Sequence, residues 1–244
     1  MTLTATRPAL RPETADRGRV HTARVTGLLY LGLAVTGLVG FFLIRNQLFV
    51  ADDPAATLAN LADHQWLARL GVAMELGVVL TQALVALWFY RLFRSVDAFA
   101  AGSIAAFGLV NAAAILTSAA FLGAALDVST DASLAAGGDT AATVQLLYVV
   151  SGHLWLVGGL FFGLWLIPMG WLARRSGWMP AALGWVLMVG GVGYVVSTFA
   201  AYLLPDAGSA LDLLTLPATV GELWMVGYLV TRGVRRTALP PVVG

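Results

Sequence analysis

The chain has 244 residues, of which 59% are hydrophobic and only 11% charged, and its mean hydropathy is +0.83. A soluble domain is roughly a quarter charged, so a fold of this size could not cover itself with polar surface, and a water-soluble globular protein is excluded. The absence of Cys excludes disulfides, thiolate nucleophiles and thiolate metal sites; the absence of Lys excludes Schiff-base chemistry and a Walker A motif; and the net charge of +1 gives no footprint for nucleic acid.

Residues 1–23 are polar and Arg-rich and lack the apolar run of a cleaved signal. They are expected to be a disordered cytoplasmic tail. Six apolar windows follow, each long enough to cross a hydrocarbon core about 30 Å thick. They run 24–44, 67–93, 98–126, 143–172, 178–203 and 212–231, and residues 232–244 form a second short tail. The expected fold is all-α: a polytopic membrane helix bundle of six transmembrane helices with both termini cytoplasmic. The orientation rests on the arginines. Twelve of the fourteen lie before span one, between spans two and three, between spans four and five, or after span six, and only Arg45 and Arg69 lie at the opposite side. Cytoplasmic segments of membrane proteins are enriched in Arg and Lys.

Between spans one and two, Asp53-Pro54 reads as a helix N-cap and first turn. A short surface helix is expected there, with Leu58, Leu61, Ala62 and Gln65 on one face and Trp66 at the interface. Small-residue stripes mark span three (Gly102, Ala106, Ala113, Thr117, Ala120, Ala124), span four (Gly152, Gly159, Gly163, Gly170) and span five (Gly177, Ala181, Gly184, Gly191). They predict close helix packing, with a subunit interface as the other use. Pro168 should kink span four by removing the bond to the Leu164 carbonyl. Pro217 marks a kink or an early turn of span six.

Ionisable residues inside a bilayer are costly and usually face the bundle interior. Counted from the outer ends of their spans, Glu75, His153 and Glu222 lie at similar depths, which predicts one polar centre. Gln82 shares the face of Glu75, and Arg45, at the outer end of span one, is a candidate partner for either carboxylate. Such a centre could take up a proton or hold a cationic or other small-molecule ligand. The plain alternative is that these groups only tie helices together. No cofactor is expected. A two-Glu-plus-His metal site is the remote exception. Ser151 and His153 are two residues apart on one helix and face apart, and no nucleophile motif, aspartate pair or metalloprotease motif occurs.

Four stretches have recognisable wording: Ala23-Arg-Val-Thr-Gly-Leu-Leu-Tyr30 with Ile44-Arg45; Ala59-Asn60 with Arg69-Leu-Gly71; Phe161-Phe-Gly163 through Arg175-Ser-Gly-Trp-Met-Pro180 to Leu183-Gly184; and Gly190-Gly-Val-Gly-Tyr194 with Gly221-Glu222. Together, over about residues 20–235, they resemble a bacterial integral-membrane family catalogued as domain of unknown function 4386. The resemblance implies six helices in a bacterial plasma membrane and no established activity. It adds Arg45, Asn60, Arg69 and Glu222 as candidates for a shared site. The chain departs from the family pattern twice: Phe107-Gly108-Leu109 stands where the family has Phe-Arg-Leu, and Trp165 stands where it has His. The functional expectation is a small-molecule or proton-linked transporter or binding protein. The alternative is a non-catalytic membrane partner or sensor subunit, associated with itself or with another membrane protein.

Overall fold

The computed structural model describes residues 12–235. Among these residues every regular element is helical. The first helix starts at Pro12 and comprises α1 (Pro12–Gly37), a π-helical stretch (Leu38–Ile44) and α2 (Arg45–Leu48). Helix therefore replaces the expected tail over residues 12–23, while residues 1–11 and the end of the second tail, 236–244, lie outside the described residues. Then come the short α3 (Pro54–Asp63), α4 (Gln65–Phe93), α5 (Ala98–Thr130), α6 (Thr140–Arg175), α7 (Ala181–Leu203) and α8 (Asp212–Thr231). Six helices are long and apolar enough to cross a membrane. The protein is a multi-pass membrane protein.

Three of the helices start at capping aspartates. The carboxylates of Asp53, Asp97 and Asp139 accept from the backbone N–H of Ala56 (2.9 Å), Ala100 (3.0 Å) and Ala142 (2.9 Å). Each satisfies an N–H that an isolated helix would leave orphaned. Span five begins three residues later than the sequence suggests, because residues 176–180 form a loop. Gly177 there takes a left-handed φ of +68°, and Trp178 turns inward to stack on Phe93 with ring centroids 6.0 Å apart.

Neighbours in the ring of helices are neighbours in sequence: α1 packs on α4, α4 on α5, α5 on α6, α6 on α7 and α7 on α8, and α8 closes against α1. The glycines of α6 and α7 explain one side of this ring. A Cβ on Gly163 would lie 2.8 Å from the Tyr194 Cβ, and one on Gly170 would lie 2.9 Å from Met188 Cγ. These two helices meet backbone to backbone, as small residues allow in lipid. The α5 stripe differs from its expected role in packing the bundle. Ala106, Ala113, Thr117 and Ala120 are exposed, while the helix buries Ile104, Gly108, Asn111, Ile115, Ser118 and Leu122 instead. The buried face is itself rich in small residues, with Ala101, Gly108, Ala112, Ser118, Ala119 and Ala125, so a different small face packs the bundle. Pro168 stands inside α6 without ending it.

The buried apolar side chains form two clusters. The larger surrounds Trp165, Phe89 and Tyr30. The smaller lies at the end of the bundle opposite the chain termini, where Leu61 of α3 packs with Ile44, Leu48, Val144 and Tyr148. The short helix α3 thus lies across that end of the bundle. Leu61 and Thr57 carry its buried face, while Ala62 and Gln65, expected on that face, are exposed. Trp66 is 75% exposed.

Candidate functional site

The smaller cluster is built around Arg45. The π-helical stretch just before it adds a residue to the turn, a distortion that recurs at functional sites. Gly40 lets this stretch press against α4, where a Cβ would be 2.9 Å from the Met74 Cβ. The guanidinium is thereby carried into the bundle. It donates to Ser151 Oγ (2.9 Å) and to the Tyr148 carbonyl (2.5 Å). The rings of Phe41, Phe49 and Tyr148 surround it, with centroids 5.6, 5.3 and 5.5 Å from Cζ. Rings at this distance stabilise a cation by their quadrupole.

Glu75 of α4 lies beside this cation, within electrostatic reach of Arg45 but without ion-pair contact. It is 3% exposed. Trp155 Nε1 donates to its Oε1 at 2.9 Å, whereas Oε2 has no hydrogen-bond partner in the protein. Ser118 stands next to the same carboxyl and shares a 2.8 Å hydrogen bond with Ser151. The chain Arg45–Ser151–Ser118 therefore runs from the cation to the side of the carboxyl. Gln82, one seven-residue repeat deeper on the same face of α4, is fully buried (0% exposed). Neither its amide nitrogen nor its oxygen has a protein partner. A buried amide with nothing to bond to costs on the order of 1–3 kcal/mol.

The other candidates separate. Tyr30 Oη donates to Glu222 Oε1. The Tyr30 ring packs on Phe89 and Trp165, at 5.6 Å from each. Phe89 is fourteen residues from Glu75, about 21 Å along the helix. The two carboxylates thus belong to different neighbourhoods, and the single centre expected from depth counting does not form. His153 is exposed and turned toward α7, where its Nδ1 meets Tyr202 Oη at 3.2 Å. The two-Glu-plus-His metal site falls with this geometry, and among the described residues no three acidic or His side chains cluster to hold an ion. Asn60 is a clamp: its Nδ2 donates to the Leu48 carbonyl at 3.3 Å and ties α3 to the end of α2. Arg69 is exposed.

Ser118, Ser151, Tyr148 and Trp155 were missed as members of the site. A signal existed. Gln145, Tyr148, Ser151 and Trp155 recur every three or four residues and mark one polar face of α6, and Asn111 and Ser118 stand one repeat apart on α5. On that same α6 face Gln145 binds the loop between α2 and α3, donating to the carbonyls of Val50 (3.0 Å) and Ala51 (2.6 Å).

Gly108 and Trp165 meet in space. A Cβ on Gly108 would lie 3.0 Å from the Trp165 ring, and Trp165 is fully buried. The indole packs directly against the bare backbone of Gly108. The loop Arg175-Ser-Gly-Trp-Met-Pro180 also has a visible task. The Trp178 carbonyl accepts from Tyr228 Oη and from the Arg235 N–H, both at 3.0 Å, which fastens α8 and the residues after it to the loop before α7.

No curated protein and no solved structure matches the chain. A family model described as Domain of unknown function (DUF4386) matches residues 25–233. That span takes in most of the first membrane helix, all of the other five, the Arg45 cluster and the Tyr30–Glu222 pair, and the chain belongs to this family.

Proposed function

We propose that the protein binds a small hydrophilic solute at the Arg45–Glu75 cluster and carries it across a bacterial plasma membrane, with Glu75 exchanging a proton as the solute binds. The observation that supports this reading is the inner face of α4. Two buried side chains one repeat apart, Glu75 and Gln82, present polar atoms that no protein group satisfies. Buried polar atoms are nearly always paired. An occupant with both donors and acceptors would complete Glu75 Oε2 and the Gln82 amide, while Arg45 uses only part of its five-donor fork within the protein. The arginine distribution orients the protein with its Arg-rich end in the cytoplasm, so the cluster opens toward the outer side once α3 moves.

The test is uptake into reconstituted vesicles from a panel of amino acids, amines and sugars, with internal pH followed by a dye. Wild type is compared with Glu75→Gln and Gln82→Leu, each verified as folded. Uptake by wild type that both variants lose supports the proposal. If wild type moves nothing, or if both variants match it, the cluster is structural. The second reading, a partner or sensor subunit, has the exposed small-residue face of α5 on its side. It predicts association along that face and no uptake.

A further inference from the structure

The arginines at the Arg-rich end fall into two groups. Arg19 lies over the Trp178 ring at 4.7 Å, Arg174 over Trp185 at 3.9 Å and Arg175 over Trp171 at 4.7 Å. Arg175 also meets Asp97 at 3.7 Å. Like those of Arg17, Arg24, Arg232 and Arg235, the guanidinium groups of Arg91 and Arg94 have no ion-pair, ring or hydrogen-bond partner among the described residues. Both line one groove of about 300 Å³ between the start of α1 and the end of α4, together with Gly18, Arg19, Thr22 and Ser95. The groove is open beside Gly18, where a Cβ would meet nothing within 4 Å.

The direction from which the groove is reached narrows the ligand. On α4 the exposed face runs through Leu76, Leu80, Leu87 and Tyr90, and ends at Arg91 and Arg94. An apolar stripe leading to two unpartnered guanidinium groups at the helix end has the order of a phospholipid, with acyl chain first and phosphate last. Arg forks match phosphate oxygens two at a time, and basic pockets between membrane helices on the cytoplasmic side take anionic head groups. We propose that this groove binds the phosphate of an anionic phospholipid, held by Arg91 and Arg94 with the Ser95 hydroxyl at its rim, and with an acyl chain along Leu87 and Leu80.

The experiment uses the purified full chain in nanodiscs or micelles. Binding is read by native mass spectrometry and by thermal shift, with phosphatidylglycerol, phosphatidylcholine and inorganic phosphate as separate probes. The expected result is saturable binding of one phosphatidylglycerol per chain, with little response to phosphatidylcholine or to millimolar phosphate. The double variant Arg91→Gln/Arg94→Gln weakens that binding at least tenfold. Gly18→Phe, which fills the groove and leaves every charge in place, does the same. Arg232→Gln, an exposed arginine outside the groove, leaves it unchanged. Equal binding of phosphatidylcholine, a phosphate response matching that of the lipid, or an equal loss in Arg232→Gln would overturn the proposal.

Discussion

Gly108 and Trp165 are two positions that the chain solves together. A methyl group on Gly108 would sit 2.9 Å from the Ala86 Cβ and 3.0 Å from the indole, closer than real carbon contacts allow. Gly108→Arg alone therefore overpacks the core and costs about 1–3 kcal/mol or more. Trp165→His alone leaves a void. The double variant is expected to be less destabilised than the sum of the single changes by about 1–2 kcal/mol, within the range for residues in contact. Equilibrium unfolding in mixed micelles measures this, and strict additivity would show that the contact carries no coupling. The charged residues were the most legible single positions, because Arg45, Glu75 and Glu222 stand out in apolar spans. What each one touches was not legible. Depth along a helix can be counted from sequence, but the direction a side chain faces depends on its neighbours. That is how Glu222 came to bond Tyr30 and His153 came to face Tyr202.

Among the elements, α6 and α7 are joined through glycine and α4 and α6 through polar side chains. Gly163→Leu forces the α6–α7 contact apart, since even its Cβ meets the Tyr194 Cβ at 2.8 Å. Gly227→Leu on α8 is the matched control, because nothing lies within 4 Å of that site. Gly163→Leu is expected to lower the thermal midpoint in detergent by many degrees, with the control within a degree or two of wild type. Equal midpoints would mean that α6 and α7 are held by something other than close approach. The extents of the spans were largely written in the sequence through their hydrophobic length, and Asp53-Pro54 marked the start of α3. The π-helical stretch was not. Leu38–Ile44 reads as ordinary apolar helix, and its widened turn belongs to the fit of Gly40 against Met74. The outward turn of the α5 small residues was hidden for a similar reason, because a stripe of small residues fits a helix contact and a lipid surface equally well.

For the whole molecule, the number of spans was legible and the closure of the ring was not, because short loops pair each helix with the next but say nothing of the first and the last. Orientation is open to direct measurement, and the chain lacks cysteine, so a single introduced thiol reports its own side. Ala55→Cys on α3 should react with a membrane-impermeant maleimide on intact cells. Ser95→Cys, in the loop after α4, should react only after permeabilisation. The reverse pattern would invert the topology and place the groove lined by Arg91 and Arg94 in the outer leaflet.

The Tyr30–Glu222 bond joins residues 192 positions apart, and α1 meets α8 at Gly27, whose Cβ would press on the Leu229 Cβ at 2.7 Å. During synthesis, α1 enters the membrane long before α8 exists. Through that interval Tyr30 and Gly27 present an unmatched flank to lipid or to the insertion machinery, and arrival of the last helix completes it. The ring therefore closes only when the last helix is made: a chain that ends before residue 222 lacks the carboxylate that Tyr30 binds.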